Sequence, residues 1–285
     1  MTRAVRRAQR GFTLVELVLV LVIVGVMAGM LVVFLRPAVE SFTAQRARGE
    51  LHSAAEAALQ VLQRDVRRAL PNSLRTPGGA CFELIPTIAG GRYRRDADVT
   101  RVGETVLDPT QATTAFDVLG PLNQSRAPVA GDWVVVGNQS VNDAYTDGLN
   151  RALITDPNQA VDAALGSRRI AHESRQFPQG YSGGRFFVVP QAEPSLFFVC
   201  SGAGLANGQG TGSLYRVVRG FQSAYPASCP AVAGAELLVS RVSSCSFQYD
   251  PGALAEYGLL QMRLQLTRDG ETVSLQISSM VSNVP

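Results

Sequence analysis

An α+β fold, with a long N-terminal helix packed on an antiparallel β-sheet, is predicted by three stretches of the chain. The first is Phe12 to Leu35, a run of apolar and small residues broken by one polar Thr13 and one charge, Glu16. The second is Val39 to Leu70, where Leu51, Ala55, Ala58, Leu62, Val66 and Ala69 recur at the spacing of one helical face. The third is the C-terminal segment. Leu260, Met262, Leu264 and Leu266 alternate there with polar residues, Arg268-Asp269-Gly270-Glu271 supplies a turn, and Val273, Leu275 and Ile277 alternate on the way back.

Residues 1–11 form a short basic leader carrying Arg3, Arg6, Arg7 and Arg10. At ~1.5 Å rise per residue, the apolar run over 12–35 spans a hydrocarbon core of ~30 Å. It reads as a membrane helix, with the positive leader in the cytoplasm and the rest of the chain on the far side. A carboxylate at this depth costs roughly 2.5–3.5 kcal/mol and usually marks function. Glu16 therefore requires a partner. An ordinary secretory signal cut near Val26-Met27-Ala28 is the alternative, but the run exceeds the ~7–15 residues of such a signal and contains a Glu. Gly25 and Gly29 match the G-x-x-x-G packing pattern. Pro37 predicts a bend or an unwound turn. Residues 36–70 then continue the helix as an amphipathic half, with Glu50, Glu56, Gln60, Arg64 and Arg67 off the apolar stripe, and Pro71-Asn72 ends it. His52, beside Leu51, reads as structural.

Gly11-Phe12-Thr13-Leu14-Val15-Glu16 followed by an unbroken apolar helix resembles the processing site of type IV prepilins and the related pseudopilins. The resemblance implies that a prepilin peptidase cuts between Gly11 and Phe12, that the new amine of Phe12 is N-methylated, and that Glu16 is the charge partner for assembly. The physical reading agrees, because a carboxylate four residues from the new amine can neutralise the amine of a neighbouring staggered subunit.

After the helix, residues 71–285 are enough for one sizeable domain. Short β-prone runs predict strands at Cys81–Pro86, Trp133–Gly137, Arg185–Pro190, Ser195–Cys200, Ser213–Arg219, Glu236–Ser240 and Cys245–Tyr249. The stretches 90–130 and 138–179 read as long loops or insertions carrying short elements, where partner specificity would sit. The 46% apolar and 17% charged content excludes disorder. The formal net charge of +3 falls to −1 once the leader's four Arg are removed, so no nucleic-acid partner is expected. Four Cys, all after the helix, fit an oxidising compartment and up to two disulfides, with three connectivities open.

The order of later features is similar to that of larger minor pilins. A Cys-led first strand is followed by Gly90-Gly91-Arg92-Tyr93-Arg94, Leu214-Tyr215-Arg216, Cys229-Pro230, Cys245-Ser-Phe-Gln-Tyr249 and Asn283-Val-Pro285. The closest likeness is to the MshO-type minor pilin of the mannose-sensitive haemagglutinin pilus, then to J-type minor pseudopilins of type II secretion. In that layout Cys200 pairs with Cys229 and Cys81 with Cys245. The family also implies a type IV pilin-like fold and residence in the bacterial inner membrane, domain in the periplasm, before insertion in a pilus or pseudopilus. Its partners would be the prepilin peptidase, other major and minor pilins, the inner-membrane assembly platform and, before assembly, membrane lipid.

Motifs that suggest chemistry lack its context. Gly180-Tyr181-Ser182-Gly183-Gly184 matches G-x-S-x-G, but a β-like run follows it and both His, 52 and 172, precede the Ser; it reads as a Gly-rich hairpin turn. Asp143-Ala-Tyr-Thr-Asp147-Gly148 is half a calcium loop with Tyr145 at a ligand position and no following Glu. Gly202-Ala-Gly204 lacks strand–helix context, and the Cys lack paired zinc spacing. Arg92-Tyr-Arg-Arg95 reads as a solvated strand end. The expectation is a structural assembly subunit without cofactor or metal. It is not an enzyme but a minor pilin at or near a filament tip, or alternatively a J-type pseudopilin, a tip adhesin or a DNA-uptake pilin.

Overall fold

The computed structural model describes residues 11–98, 100–180, 183–254 and 256–284, apart from the side chains of Ala253 and Leu254. The chain divides into two compact units at the Glu50–Leu51 boundary. One helix, α1 (Leu14–Arg67), contributes to both. In the first unit it runs through Pro37 without the unwound turn that the proline predicts, and Arg36 Nε donates to Glu40 across that turn at 2.9 Å.

The second unit is built on two β-structures. Its strands, in chain order, are β1 (Arg75–Gly78), β2 (Cys81–Leu84), β3 (Ala89–Tyr93), β4 (Thr113–Gln124), β5 (Trp133–Val136), β6 (Arg151–Gln159), β7 (Arg168–Arg175), β8 (Arg185–Val189), β9 (Ser195–Ser201), β10 (Leu205–Ala206), β11 (Gln209–Gly210), β12 (Gly212–Arg219), β13 (Glu236–Leu254), β14 (Tyr257–Arg268) and β15 (Glu271–Ser282). A seven-stranded antiparallel sheet has the order β1-β2-β9-β12-β13-β14-β15, and β10-β11 is a two-stranded flap. Leu51, Ala55, Ala58, Leu59, Leu62 and Val66 of α1 bury against Phe82, Leu84, Phe198, Leu214, Phe247 and Leu264 of the sheet. This is the predicted helix-on-sheet packing, and period 3.6 on the helix meets period 2 on the strands. The C-terminal hairpin turns at Asp269 and Gly270, both with positive φ (54° and 82°), the two-residue geometry that suits an Asp-Gly pair.

Residues 89–189 hold the main departure from expectation. β3-β4-β7-β6-β5-β8 close into an antiparallel barrel; β5 and β8 lie where the sequence predicts strands, whereas β3, β4, β6 and β7 occupy stretches that read as long loops. In the run β5-β6-β7-β8 the fourth strand returns beside the first, a Greek-key order. Its interior is filled by Tyr93, Phe116, Val118, Val136, Ile154, Ile170, Phe177, Phe186 and Val188. The barrel is inserted between β2 and β9, which are hydrogen-bonded neighbours in the sheet. It packs on the sheet layer through Leu70, Ile85, Val135, Ala144, Tyr145 and Val189.

Two boundaries also differ from the sequence reading. α1 ends at Arg67, because Ala69 bridges to Pro86, Leu70 N donates to Ile85 O at 2.8 Å, and the Arg68 carbonyl accepts from both the amide and hydroxyl of Thr87, each at 2.8 Å. These bonds satisfy groups that a helix terminus leaves open. The runs at 236–240 and 245–249 are parts of one strand, β13, with Arg241 at φ 63° and a register shift between Val242 and Ser244.

The cysteines all pair, but not as the family layout implied. The disulfides are Cys81–Cys229 (Cα–Cα 5.8 Å) and Cys200–Cys245 (Cα–Cα 6.4 Å), replacing the expected Cys200–Cys229 and Cys81–Cys245. The cause is side-chain parity. Cys200 and Cys245 lie with the cluster on the helix-facing side of the sheet, whereas Cys81 and Cys229 lie with Phe197, Val199 and Val217 on the opposite side. The expected bonds would have had to pass through the sheet.

A polar knot lies on that second side. Arg75 is fully buried, 3.5 Å from the Glu83 carboxylate and 3.3 Å from the centroid of the Tyr145 ring, and it donates to the Gln222 and Ala224 carbonyls at 2.9 and 3.2 Å. Ser195 Oγ donates to Glu83 at 2.5 Å, and Tyr145 OH to the Ser73 carbonyl at 2.9 Å. Burial pushes the Glu83 carboxyl up, against the hydrogen bond from Ser195 and the charge of Arg75.

Cys229→Ser is expected to free the Cys81 thiol, leave the Cys200–Cys245 peptide pair intact in non-reducing mass mapping, and lower stability by about 2–5 kcal/mol. His172 supplies a pH prediction. It is buried in the barrel with its ring 5.8 Å from Phe116 and 5.3 Å from Phe177, and Nδ1 donates to the Glu173 carbonyl at 2.8 Å. Burial pushes its pKa below the ordinary value, opposed by the Glu173 bond and aided by Arg175. A depressed folded pKa means that its contribution is fully present above the unfolded value of ~6.5 and is lost as pH falls through the folded pKa. His172→Gln should therefore flatten the loss of thermal stability below pH ~6.5, checked by melting the two proteins across that range.

Candidate functional site

The N-terminal segment carries the sequence-predicted site. Gly11, Phe12 and Thr13 precede α1 as exposed, non-helical chain, and Phe12 is 78% exposed. Gly11–Phe12 is thus an accessible peptide bond on non-helical chain. Residues 1–10 of the leader lie outside the described residues.

Thr13 is the N-cap. Its carbonyl accepts from the amides of Glu16 and Leu17 at 3.1 and 3.2 Å, and its Oγ1 also receives the Glu16 amide at 3.3 Å. Glu16 occupies the third helical position, so Thr13-Leu14-Val15-Glu16 has the spacing of a capping box. Sequence reading treated Thr13 only as an interruption of the apolar run. The T-x-x-E spacing was the signal that could have identified it as the residue that starts the helix. Glu16 has a second role there, since a carboxylate in the first turn is favoured by the helix dipole. Its side chain is exposed and has no partner among the described residues.

From Leu17 to Leu35 the helix is apolar on every side. It carries a stretch of mean hydropathy 3.2, none of it buried, and is long and apolar enough to cross a membrane. A Cβ placed on Gly25 or Gly29 would meet nothing within 4 Å, so this small-residue face is open.

The other motifs resolve into structural roles. The Asp143 carboxylate accepts from the amides of Gln139 and Ser140 at 3.1 and 2.8 Å and starts a short 3-10 turn. Asp147 faces Arg151 at 3.3 Å. Among the described residues no group of three or more His, Cys, Asp or Glu is placed to hold a metal. Tyr181 and Ser182 of the G-x-S-x-G stretch lie outside the described residues. Gly202 and Gly204 sit beside the β10-β11 flap, where the Gly202 carbonyl accepts from Thr211 Oγ1 at 2.9 Å. His52 pairs with Glu56 one turn along α1 at 3.8 Å.

Residues 6–32 match the Prokaryotic N-terminal methylation motif. No curated protein and no solved structure gives a significant match to the chain. The matched segment contains the whole Gly11-to-Glu16 constellation and most of the apolar helix. Such a motif belongs to subunits that assemble by their N-terminal helices, a structural class. An exposed Gly11–Phe12 bond, a capped first turn carrying Glu16 and an apolar helix long enough to cross a membrane, within a matched methylation motif, support a type IV pilin or pseudopilin subunit processed by a prepilin peptidase and assembled with other pilins.

Proposed function

We propose that this chain is a minor pilin of a type IV, MSHA-type pilus, acting in filament assembly initiation at or near the tip. A prepilin peptidase cuts between Gly11 and Phe12 on the cytoplasmic face of the inner membrane, and the new Phe12 amine is methylated. The observation that carries the reading is Glu16: a carboxylate on an exposed apolar helix with no partner among the described residues of its own chain. In lipid that charge costs roughly 2.5–3.5 kcal/mol, and the positive Phe12 amine of an adjacent subunit removes the cost. Docking is thereby tied to processing, because the amine exists only after cleavage. The apolar helix leaves the bilayer for the filament core, and the periplasmic domain stays outside.

The barrel over residues 89–189 supports the minor role, since a module added to the helix-bearing sheet is bulk that a closely packed shaft would exclude. The same features serve a J-type pseudopilin capping a periplasmic pseudopilus. The barrel also favours a second reading, in which an adhesive or DNA-binding tip subunit uses it to engage a ligand. No residue is assigned a catalytic role.

Intact-mass and N-terminal analysis of the protein produced with and without a prepilin peptidase tests the proposal. The expected product begins at methylated Phe12. It should be lost without the peptidase and in Gly11→Leu. Glu16→Val should still be cut, yet fail to enter filaments in sheared-pilus fractions. Cleavage near Ala28, or none, would overturn the reading.

A further inference from the structure

Where α1 ends against the barrel, a groove of about 750 Å³ opens, and four guanidinium side chains line it: Arg67 and Arg68 from the helix end, Arg92 from β3 and Arg185 from β8. None of the four has an ion-pair or hydrogen-bond partner for its side chain among the described residues. The walls are fixed relative to one another. Thr87 bonds the Arg68 carbonyl, Leu70 bonds Ile85, and β3 is laddered to β8.

Two of these cations have a local reason to be present, since Arg67 and Arg68 sit at the C-terminal end of α1, where the helix dipole favours positive charge. Arg92 and Arg185 have none. They are direct register partners on neighbouring antiparallel strands, both exposed, and like charges directly opposite one another destabilise a strand pair. Elsewhere in the same barrel the register pair Asp117 and Arg169 has opposite signs, at 2.7 Å. A repulsive pair facing two further cations across a groove indicates an anionic occupant.

We propose that this groove binds a carboxylate-rich segment of a partner protein. Nucleic acid fits less well. The aromatic side chains at the groove, Phe186 and Phe187, are buried or half-buried in the barrel wall and present no free face for base stacking. The chain without its leader carries −1, so its overall charge supplies no general attraction for a phosphate backbone. The inference goes beyond the assembly reading and is testable in solution, where processing and filament formation play no part.

The test uses the full chain in neutral detergent and a fluorescent peptide of about eight glutamates, followed by anisotropy at low salt. Saturable binding is expected, weakened by about tenfold in the double variant Arg92→Gln/Arg185→Gln and kept in Arg92→Lys/Arg185→Lys. The same Gln variant should melt about 1–3 °C higher, because repulsion is removed. Lost binding together with gained stability is a combination that misfolding does not produce. Arg263→Gln, on the far strand β14, should bind like the parent. Absence of binding, equal binding by the Gln variant, or preference for a deoxythymidine oligonucleotide of equal charge would each overturn the proposal, the last in favour of nucleic acid.

Discussion

Arg75 stands at the point where the sheet, the barrel and the 222–224 segment meet, and it does so without access to water. A guanidinium in that position is tolerable only if its surroundings supply negative charge, carbonyl oxygen and an aromatic face together. Glu83 gives the first, directly opposite in the β1–β2 register; Gln222 and Ala224 give the second; Tyr145 gives the third from the barrel side. Removing one partner of a buried pair leaves a charge whose burial costs about 3–5 kcal/mol. The junction is therefore all-or-none in character: the barrel is docked with Tyr145 over Arg75, or the cation is stranded. Apolar contacts alone would hold the two layers together but would not fix their register.

The sheet around that knot works as a partition. Its helix-facing side is a continuous apolar layer that also contains Cys200–Cys245, whereas its other side carries the polar knot and Cys81–Cys229. The strand period of two enforces this division. Neighbouring residues on one strand, such as Cys81 and Phe82, consequently serve different layers. One disulfide tightens the helix–sheet core, and the other fastens the long segment carrying Cys229 over the outer side.

What was legible in the sequence follows from how locally each feature is determined. The apolar run, Glu16 and the Asp269-Gly270 turn are set by residues within a few positions of one another, and they are found where they were read. The barrel was legible only at β5 and β8, whose apolar runs read as strands; its closure was not, because other strands violate the simple alternation. β4 buries Asp117 and contains Gly120-Pro121, and β6 contains Asp156-Pro157. Those residues read as loop signals. In the fold Asp117 is neutralised by Arg169 and bonded by the Thr105 amide, and Pro157 lies at a register irregularity where no ladder bond is required. The partners that make these residues acceptable are tens of positions away. Cysteine pairing failed for a related reason: which side of the sheet a cysteine faces depends on strand register across the whole domain. Thr13 is the opposite case, since its capping role was written within four residues.

The insertion point of the barrel has a consequence for how such a chain can change. Leu84 and Leu196, flanking the insert, are register partners on adjacent strands, so the chain leaves the sheet and returns about 5 Å away. A tight turn could close that gap, and the helix-bearing sheet would lose none of its ladders. The barrel is thus topologically an exchangeable cartridge, free to be enlarged, replaced or deleted while the assembling helix stays the same. The exchange has one condition. Because Tyr145 is in the cartridge and Arg75 and Glu83 are in the socket, deletion would have to be accompanied by neutral residues at both socket positions, and chains with and without the module should differ there together.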